Sequence, residues 1–336
     1  MSQDPATADV RAWDAEVGAM PNPHLLQSYR WGELQSRFGW EVHRRHIDVD
    51  DRPVPVSLQV APTLVPGGRH GYVGKGPALS ADGIDASLEP LAALAHEMEL
   101  AFITIEPEIE AGWTPPGPWQ QAAATQPEHT AIVDLRPEAD VILASLKPKT
   151  RYNVRVAEKK GVVVEASNDI AAFAELAELT SARHRIQLAR EPYYRAVHEL
   201  LAGDGSCRTY LARHQGQTLA GIMVLRFAGR ATYLFGASAP VGRNLMPAYL
   251  LHWHAIQEMR RLGDVEYDLW GMPPDDQPGH PLSGLWQFKS GWSGRPVSYA
   301  GAFDLPVNVT VWRTHQAMAK MRGTLRRVRS KVASRS

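Results

Sequence analysis

The chain runs through one succession of elements twice, and that repetition limits what it can fold into. In the first half, residues 5–20 carry a helical pattern up to the break at Pro21-Asn22-Pro23. Residues 25–38 read as a second helix, with Leu26, Tyr29, Trp31 and Leu34 as its apolar positions. Strands over 40–47, 54–60 and 71–73 follow, then a helix over 88–99 and a short buried strand over 101–106. The second half begins again with helices over 170–185 and 193–200. Three strands, 207–213, 218–227 and 230–237, lead through a loop at 238–246 to a strongly amphipathic helix over 247–262. A buried strand over 265–270 closes the series. Each strand set needs its own helical cover, so the pattern predicts two α+β domains.

The order of helix pair, antiparallel strands, loop, helix and strand resembles a GNAT-type acyltransferase domain. Finding it twice predicts a tandem duplication, although no residue-level repeat links the halves. At 336 residues, 44% hydrophobic and 21% charged, the chain is long enough for two cores. A single Cys207 excludes an internal disulfide and any multi-cysteine metal site, and reads as a packing residue. The first thirteen residues carry Asp4 and Asp9 and no apolar core, so no signal peptide is expected. No window approaches 18 uninterrupted apolar residues, and the expected location is the cytoplasm, with contact to the inner face of the plasma membrane allowed by the basic end of the chain. Residues 313–336 hold eight Lys/Arg and no acid, with Met318, Met321, Leu325, Val328 and Val332 at spacings of three and four. They read as an amphipathic helix that packs back on a domain while its charges attract an anionic surface.

Formal net charge is zero, but residues 1–145 carry 21 Asp+Glu against 9 Lys+Arg, and the remainder 15 against 27. The sign changes near residue 146, where the domain boundary is expected: 1–145, completed by 313–336, for the first domain and 146–312 for the second. A basic half suits an anionic partner such as nucleic acid, a phosphorylated precursor or a membrane. Its densest part is 147–161, where Lys147, Lys149, Arg151, Arg155, Lys159 and Lys160 are opposed by Glu158 alone. So much like charge reads as a solvated helix face or a polyanion-binding surface.

Few patterns point to chemistry on their own. His252 and His254 lie two apart on a helix, His43 and His46 lack a third ligand, and no metal site is expected. No GxSxG, Walker or dinucleotide fingerprint occurs. The segment Arg243-Asn-Leu-Met-Pro-Ala248 lacks the glycines of a coenzyme A pyrophosphate cradle. Asp268-Leu-Trp-Gly-Met272 and Trp286-Gln-Phe-Lys289-Ser-Gly-Trp292 form an aromatic-rich region. Its lysine suits stabilisation of an oxyanion or phosphate, or equally a surface position between packing aromatics. Glu106-Pro107-Glu108 follows a strand, where a carboxylate could deprotonate an ammonium or be a plain loop acid.

The basic run, taken together with segments along most of the chain, resembles the Fem family of non-ribosomal peptidyltransferases. Leu26-Gln-Ser-Tyr-Arg-Trp-Gly32 is similar to that family's early Gln-Ser-x-x-Trp helix, and Ile105-Glu106-Pro107 to its acidic-Pro step. Thr180-Ser-Ala-Arg183 with Tyr193-Tyr194 is similar to its acceptor-helix pattern. The longest similarity runs from Tyr233 to Gly291, through Pro247–Trp253, Tyr267-Asp268-Leu-Trp-Gly271 and Phe288-Lys289.

The resemblance implies two GNAT-like domains with a cleft between them and a C-terminal helix returning to the first. No heptad run interrupts 146–310, so the compact type without a coiled-coil arm is implied. The family moves an amino acid, glycine, alanine or serine, from aminoacyl-tRNA to the side-chain amine of the third stem-peptide residue. The acceptor is a peptidoglycan precursor, lipid II or UDP-MurNAc-pentapeptide, and no cofactor is required. Lys289, preceded by Phe288, matches the lysine that stabilises the transition state, and Glu106 stands where Asp is common. Substrate contacts are implied for Tyr72, Arg183, Tyr194, Tyr249 and Asp268, and tRNA contacts for the six basic residues of 147–160. Gln35 stands where compact members often have a phosphate-binding lysine, leaving Arg37 or Arg30 to substitute. Two other readings remain: a GNAT-type N-acyltransferase using acyl-CoA, and a non-catalytic RNA- or membrane-binding protein.

Overall fold

A computed structural model describes residues 5–184, 187–275 and 283–333. In chain order the elements are α1 (Pro5–Gly18), α2 (Tyr29–Arg37), β1 (Glu41–Val49), β2 (Arg52–Pro62), β3 (Arg69–Gly74), α3 (Ala81–Glu97), β4 (Phe102–Glu106) and β5 (Gln120–Ala122). They continue with β6 (His129–Asp134), α4 (Ala139–Ser145), α5 (Pro148–Lys159), β7 (Val163–Ala166), α6 (Ile170–His184), α7 (Glu191–Leu201), β8 (Cys207–His214), β9 (Gln217–Phe227) and β10 (Arg230–Ser238). Last come α8 (Pro247–Arg261), β11 (Glu266–Asp268), α9 (Ser283–Ser290), β12 (Arg295–Ser298), β13 (Ala302–Pro306) and α10 (Val309–Ala333).

The chain divides into two units, residues 1–126 with 299–336, and residues 127–298. The first unit's sheet has the order β1-β2-β3-β4-β13-β5, and the second's β12-β6-β11-β10-β9-β8-β7. Each sheet is antiparallel except for one parallel pair, β3 with β4 and β10 with β11. A parallel pair needs a crossover, and α3 and α8 supply it. Strand hairpin, third strand, crossover helix and parallel fourth strand therefore occur once in each unit. The tandem GNAT-like duplication expected from the element order is present as topology.

The boundary differs from the one drawn where the charge changes sign. Strand β6, with α4 after it, was assigned to the first half, yet β6 pairs with β11 and β12 in the second sheet. Strand β13, assigned to the second half, lies between β4 and β5 in the first. Net charge reports on the surface, whereas sheet membership is decided by backbone pairing and the apolar face each strand buries. Leu135 and Val133, for example, pack in the second unit's core with Tyr267, Trp292 and Met259.

Local chemistry explains several departures from the periodicity. The second helix expected over 25–38 splits into a 3-10 turn, Leu25–Gln27, and α2. Ser28 makes the break, its hydroxyl accepting the backbone N–H of Trp31 as N-cap. Helix α3 starts seven residues before the expected position, and β5, β7, α9, β12 and β13 were not anticipated. Arg185, the end expected for the helix that begins at 170, lies outside the described residues.

Helix α10 starts at Val309 and packs on the first unit. His315 Nδ1 accepts from Leu64 N at 3.0 Å, and Asp304 accepts from Trp312 Nε1 at 2.8 Å and Gln316 Nε2 at 2.6 Å. Among the described residues no helix is long and apolar enough to cross a membrane, and no group of three His, Cys, Asp or Glu could hold a metal ion. Cys207 is buried, and desolvation pushes its thiol up to about 12, which leaves it a packing residue.

Candidate active site

In the first unit, chemistry collects at the carboxyl ends of the parallel pair. Gly74, the last residue of β3, lies in register with Glu106, the last of β4. Glu106 is 2% exposed. Its carboxylate accepts the Tyr72 hydroxyl at 2.7 Å, Gln126 N at 2.9 Å and Thr125 N at 3.3 Å. Burial raises its pKa, against the lowering effects of the Tyr72 hydroxyl, the Gln126 N–H, the Lys75 ammonium and the Thr125 N–H. The Tyr72 phenol is driven well above its ordinary value by burial and by Glu106, so it stays a hydrogen-bond donor.

A cavity of about 210 Å³ opens beside this pair, lined by Trp40, His70, Tyr72, Phe102, Asp304 and His315 among others. Predicted residues Gln35, half-buried, and Arg37, exposed, lie on α2.

In the second unit, β11 ends at Asp268 and the chain turns sharply, with Trp270 at φ 56°. Asp268 is 1% exposed and organises that turn. Its Oδ1 accepts the Thr130 hydroxyl at 2.5 Å and the Trp270 N–H at 2.8 Å. The turn aims three carbonyls at one point, and Lys289 from α9 fills it. Its Nζ donates to Leu269 O at 2.7 Å, Gly271 O at 2.6 Å and Trp270 O at 3.3 Å. Lys289 is therefore not the surface lysine that its aromatic flanks allowed; it is 5% exposed. Burial lowers its pKa to about 7, Asp268 opposes that shift, and the three carbonyls favour the ammonium.

Aromatic rings enclose this ammonium. Tyr233 lies beneath it, 5.1 Å from centroid to Nζ. Phe288, half-buried, packs edge-on against Tyr249 at 5.0 Å and His252 at 5.2 Å. His252 is fully enclosed, with its Nδ1 3.0 Å from the Tyr267 hydroxyl. Burial, with help from Lys289, drops its pKa to about 3, so it is a neutral ring at working pH. Phe288, Lys289, Tyr249 and Asp268 are thus brought together in one unit.

Two other predicted contacts land elsewhere. Arg183 spans the end of β10, donating to Ser238 O at 2.8 Å and Ser238 Oγ at 3.0 Å. Tyr194, expected at a substrate, is 2% exposed and packs edge-on against Phe173 and Phe235. Burial raises its phenol to about 12, and its place is in the core.

The basic run is helix α5, begun by Pro148 at the first helical turn. Thr150, Asn153, Val154 and Ala157 form its buried stripe. Lys147, Lys149, Arg155, Lys159 and Lys160 are exposed, with Tyr152 at 66% among them. Arg151 departs from this pattern: it donates to the carbonyls of Ala144 and Leu146, closing the end of α4. Lys160 donates to Asn244 O at 2.9 Å, and Lys147 to Ser290 Oγ at 3.1 Å.

Sequence reasoning passed over Lys75, Gln27 as a buried clamp, Thr130, Tyr233 and Tyr299. A signal existed for Lys75: it is the only lysine among residues 1–145, set between Gly74 and Gly76 just after an apolar strand.

Comparison with known proteins agrees with this geometry. Residues 144–289 match the family model described as an acetyltransferase (GNAT) domain. The chain is 23% identical to the lipid II:glycine glycyltransferase of Staphylococcus saprophyticus, over 90% of this chain and 93% of that one. The Staphylococcus aureus enzyme of the same name is 21% identical, over 89% and 92%. The solved structure of FemX superposes with a TM-score of 0.80 at 20% identity, covering 94% of this chain and 98% of FemX. The chain is a relative of the Fem aminoacyltransferases. The match to the saprophyticus glycyltransferase extends over 389 positions, more than this chain's 336, so that relative carries extra segments within the matched region that this chain lacks.

Proposed function

We propose that the chain is an aminoacyl-tRNA-dependent aminoacyltransferase that builds the interpeptide bridge of peptidoglycan. The amino acid moved is glycine in the first instance, and the acceptor is the side-chain amine of the third stem-peptide residue, on lipid II or its soluble nucleotide-linked form. The observation that carries this reading is the similarity to lipid II:glycine glycyltransferases along nearly the full length of both chains. The site built on Phe288 and the buried Lys289 supports the same reading. A cytoplasmic setting, where charged tRNA is found, goes with the same reading.

The chemistry needs little beyond position and charge. The ester that joins an amino acid to tRNA is already activated. The acceptor nitrogen attacks the ester carbonyl, the carbon–oxygen bond to the ribose breaks, and the proton lost by the amine ends on the ribose oxygen. An amide and free tRNA result. Three demands follow: deprotonate an ammonium, stabilise an oxyanion and hold two polyanionic substrates.

The residues can be matched to those demands. Glu106, fed by three donors, is a base suited to an ammonium, and the precursor is assigned to the first unit. Lys289 is assigned to the oxyanion: its 3.3 Å contact to Trp270 O is the weakest of three, and is the one an oxyanion would displace. Thr130 and Asp268 hold the turn that orients it. The exposed cations of α5 are assigned to the tRNA backbone, with Tyr152 placed to stack on a base.

A transfer assay with purified protein tests the reading. It uses radiolabelled glycyl-, alanyl- and seryl-tRNA with lipid II or its soluble precursor. Label reaching the muropeptide supports it, and the absence of transfer from every pair with folded protein overturns it.

The match of 144–289 to an acetyltransferase model favours a second reading, an acyl-CoA-dependent N-acyltransferase. Saturable coenzyme A binding by calorimetry would support that instead. Against it stands the segment 238–246, where Gly242 is the one glycine and no pyrophosphate cradle is formed.

A further inference from the structure

Lys75 is a buried lysine in the first unit, 1% exposed, and nothing in the reaction as described employs it. Its backbone is as unusual as its burial. It sits at φ 49°, in the left-handed region where glycine is cheaper, although glycines flank it on both sides. A lysine kept at such a place points to a need for its side chain.

The surroundings fix it tightly. Gln27, itself fully buried, donates from Nε2 to Gly74 O at 2.9 Å and accepts Ser57 N at Oε1 at 2.9 Å. The next residue, Gly76, lies flat against Gln27: a Cβ there would stand 2.6 Å from its amide carbon. The loop leaving β3 is thereby clamped on both sides of Lys75. The ammonium rests over the ring of Tyr299, 3.8 Å from its centroid. The Tyr299 hydroxyl in turn donates to Glu108 Oε1 at 2.8 Å, tying the ring in place. Gly74 is in register with Glu106, so Lys75 leaves β3 at the strand end where Glu106 closes β4, and its charge acts on that carboxylate to lower its pKa.

We infer that Lys75 is a positioning residue for Glu106: a fixed, buried counter-charge that keeps this carboxylate ionised and available to the acceptor amine. The inference rests on the reading that Glu106 serves the amine. A carboxylate this deeply buried, with no cation nearby, would drift toward its neutral acid, a poor base. The remaining groups facing Glu106 are the Tyr72 phenol from β3 and the backbone N–H groups of Thr125 and Gln126. Tyr299 holds the ammonium from the other side by cation–π attraction.

The test is a titration that does not need turnover. Protein carrying ¹³C-carboxyl glutamate is titrated by NMR, with the Glu106 signal assigned by its loss in Glu106→Gln. In Lys75→Met the Glu106 midpoint is expected to rise by about one pH unit, the scale on which a nearby opposite charge acts. The acid limb of the pH profile for kcat/KM of transfer should move up with it. A midpoint that stays in place in folded Lys75→Met overturns the inference. If that variant does not fold, the coupling is read from the other end. The ¹⁵Nζ midpoint of Lys75 should fall in the isosteric Glu106→Gln by a comparable amount, because coupling is reciprocal; an unmoved midpoint overturns it again. A shifted Glu106 midpoint in a protein that transfers no amino acid upholds the pairing and defeats the transferase reading.

Discussion

The phenolic hydroxyl of Tyr72 donates to Glu106 at 2.7 Å, so the side chain of one parallel strand opposes the rise in pKa that burial imposes on its neighbour's last residue. That hydrogen bond stabilises the ionised carboxylate, and removing it favours the acid form. The base must be ionised to act, so its activity rises as pH passes the Glu106 pKa. Tyr72→Phe deletes a lowering influence, and the acid limb of kcat/KM should move to higher pH. Pre-steady-state transfer across pH 4–8 checks this; an unmoved limb would remove Glu106 from the role of base.

Lys289→Ala should lower transfer by roughly 10²–10³-fold, the cost of losing one oxyanion donor. Lys289→Arg should rescue little. Three carbonyls converging within 3.3 Å suit a compact ammonium and leave no room for a planar fork. Single-turnover rates, with near-UV circular dichroism to confirm folding, decide the matter. Wild-type rates in either variant would contradict the assigned role.

Binding of tRNA to α5 should depend steeply on salt. Replacing Lys147, Lys149, Arg155 and Lys159 with alanine should flatten the plot of log K against log salt by about three, at roughly 0.7–0.9 for each phosphate no longer neutralised. Arg151 is left intact because it closes the end of α4. Filter binding between 50 and 300 mM salt, about the range where counterion release dominates, measures it. Equal slopes for the two proteins would take α5 out of the tRNA surface.

Acid should loosen the first unit through His70. Its ring stacks on Phe102 at 5.1 Å and lies 5.5 Å from His315, and burial with the His315 charge lowers its pKa to about 4. An unfolded histidine titrates near 6.5, so between about pH 6.5 and 4 the unfolded chain binds the extra proton. Stability is thus full above that window and falls as pH drops through it, by up to about 3 kcal/mol from this group. His315, also lowered, adds in the same direction. His70→Phe keeps the stack and should flatten the decline in Tm across that range. A slope equal to wild type would exclude His70 as the source.

How far the sequence could be read differs from element to element, for physical reasons. The long amphipathic helix α8 and strands β8 to β10 announce themselves by period, because each buries one face over many residues. Short strands such as β5 and β12 bury too few residues to show any period. Helix α9 packs by rings, with Phe288 and Trp292 meeting at 6.0 Å, and carries no clean polar face. Lys289 was legible as a candidate through its aromatic flanks and the Fem resemblance. Its three carbonyl partners were not, since they depend on a turn with positive φ at Trp270. The burial of Lys75 was hidden for a related reason, although its place between two glycines was not: that burial is decided by Gln27 and Tyr299, 48 residues before it and 224 after it in the chain.

Thr104 and Asp304, joined by a 2.6 Å hydrogen bond, stand 200 residues apart, because β13 enters the first sheet between β4 and β5. During synthesis the first unit therefore waits, its sheet open at β4, while every residue of the second passes through the ribosome. The second unit has all its strands between residues 129 and 298 and can close earlier. The part of the molecule made first is completed last, and a ribosome that stops short of residue 302 leaves behind a finished second unit joined to an unsealed first.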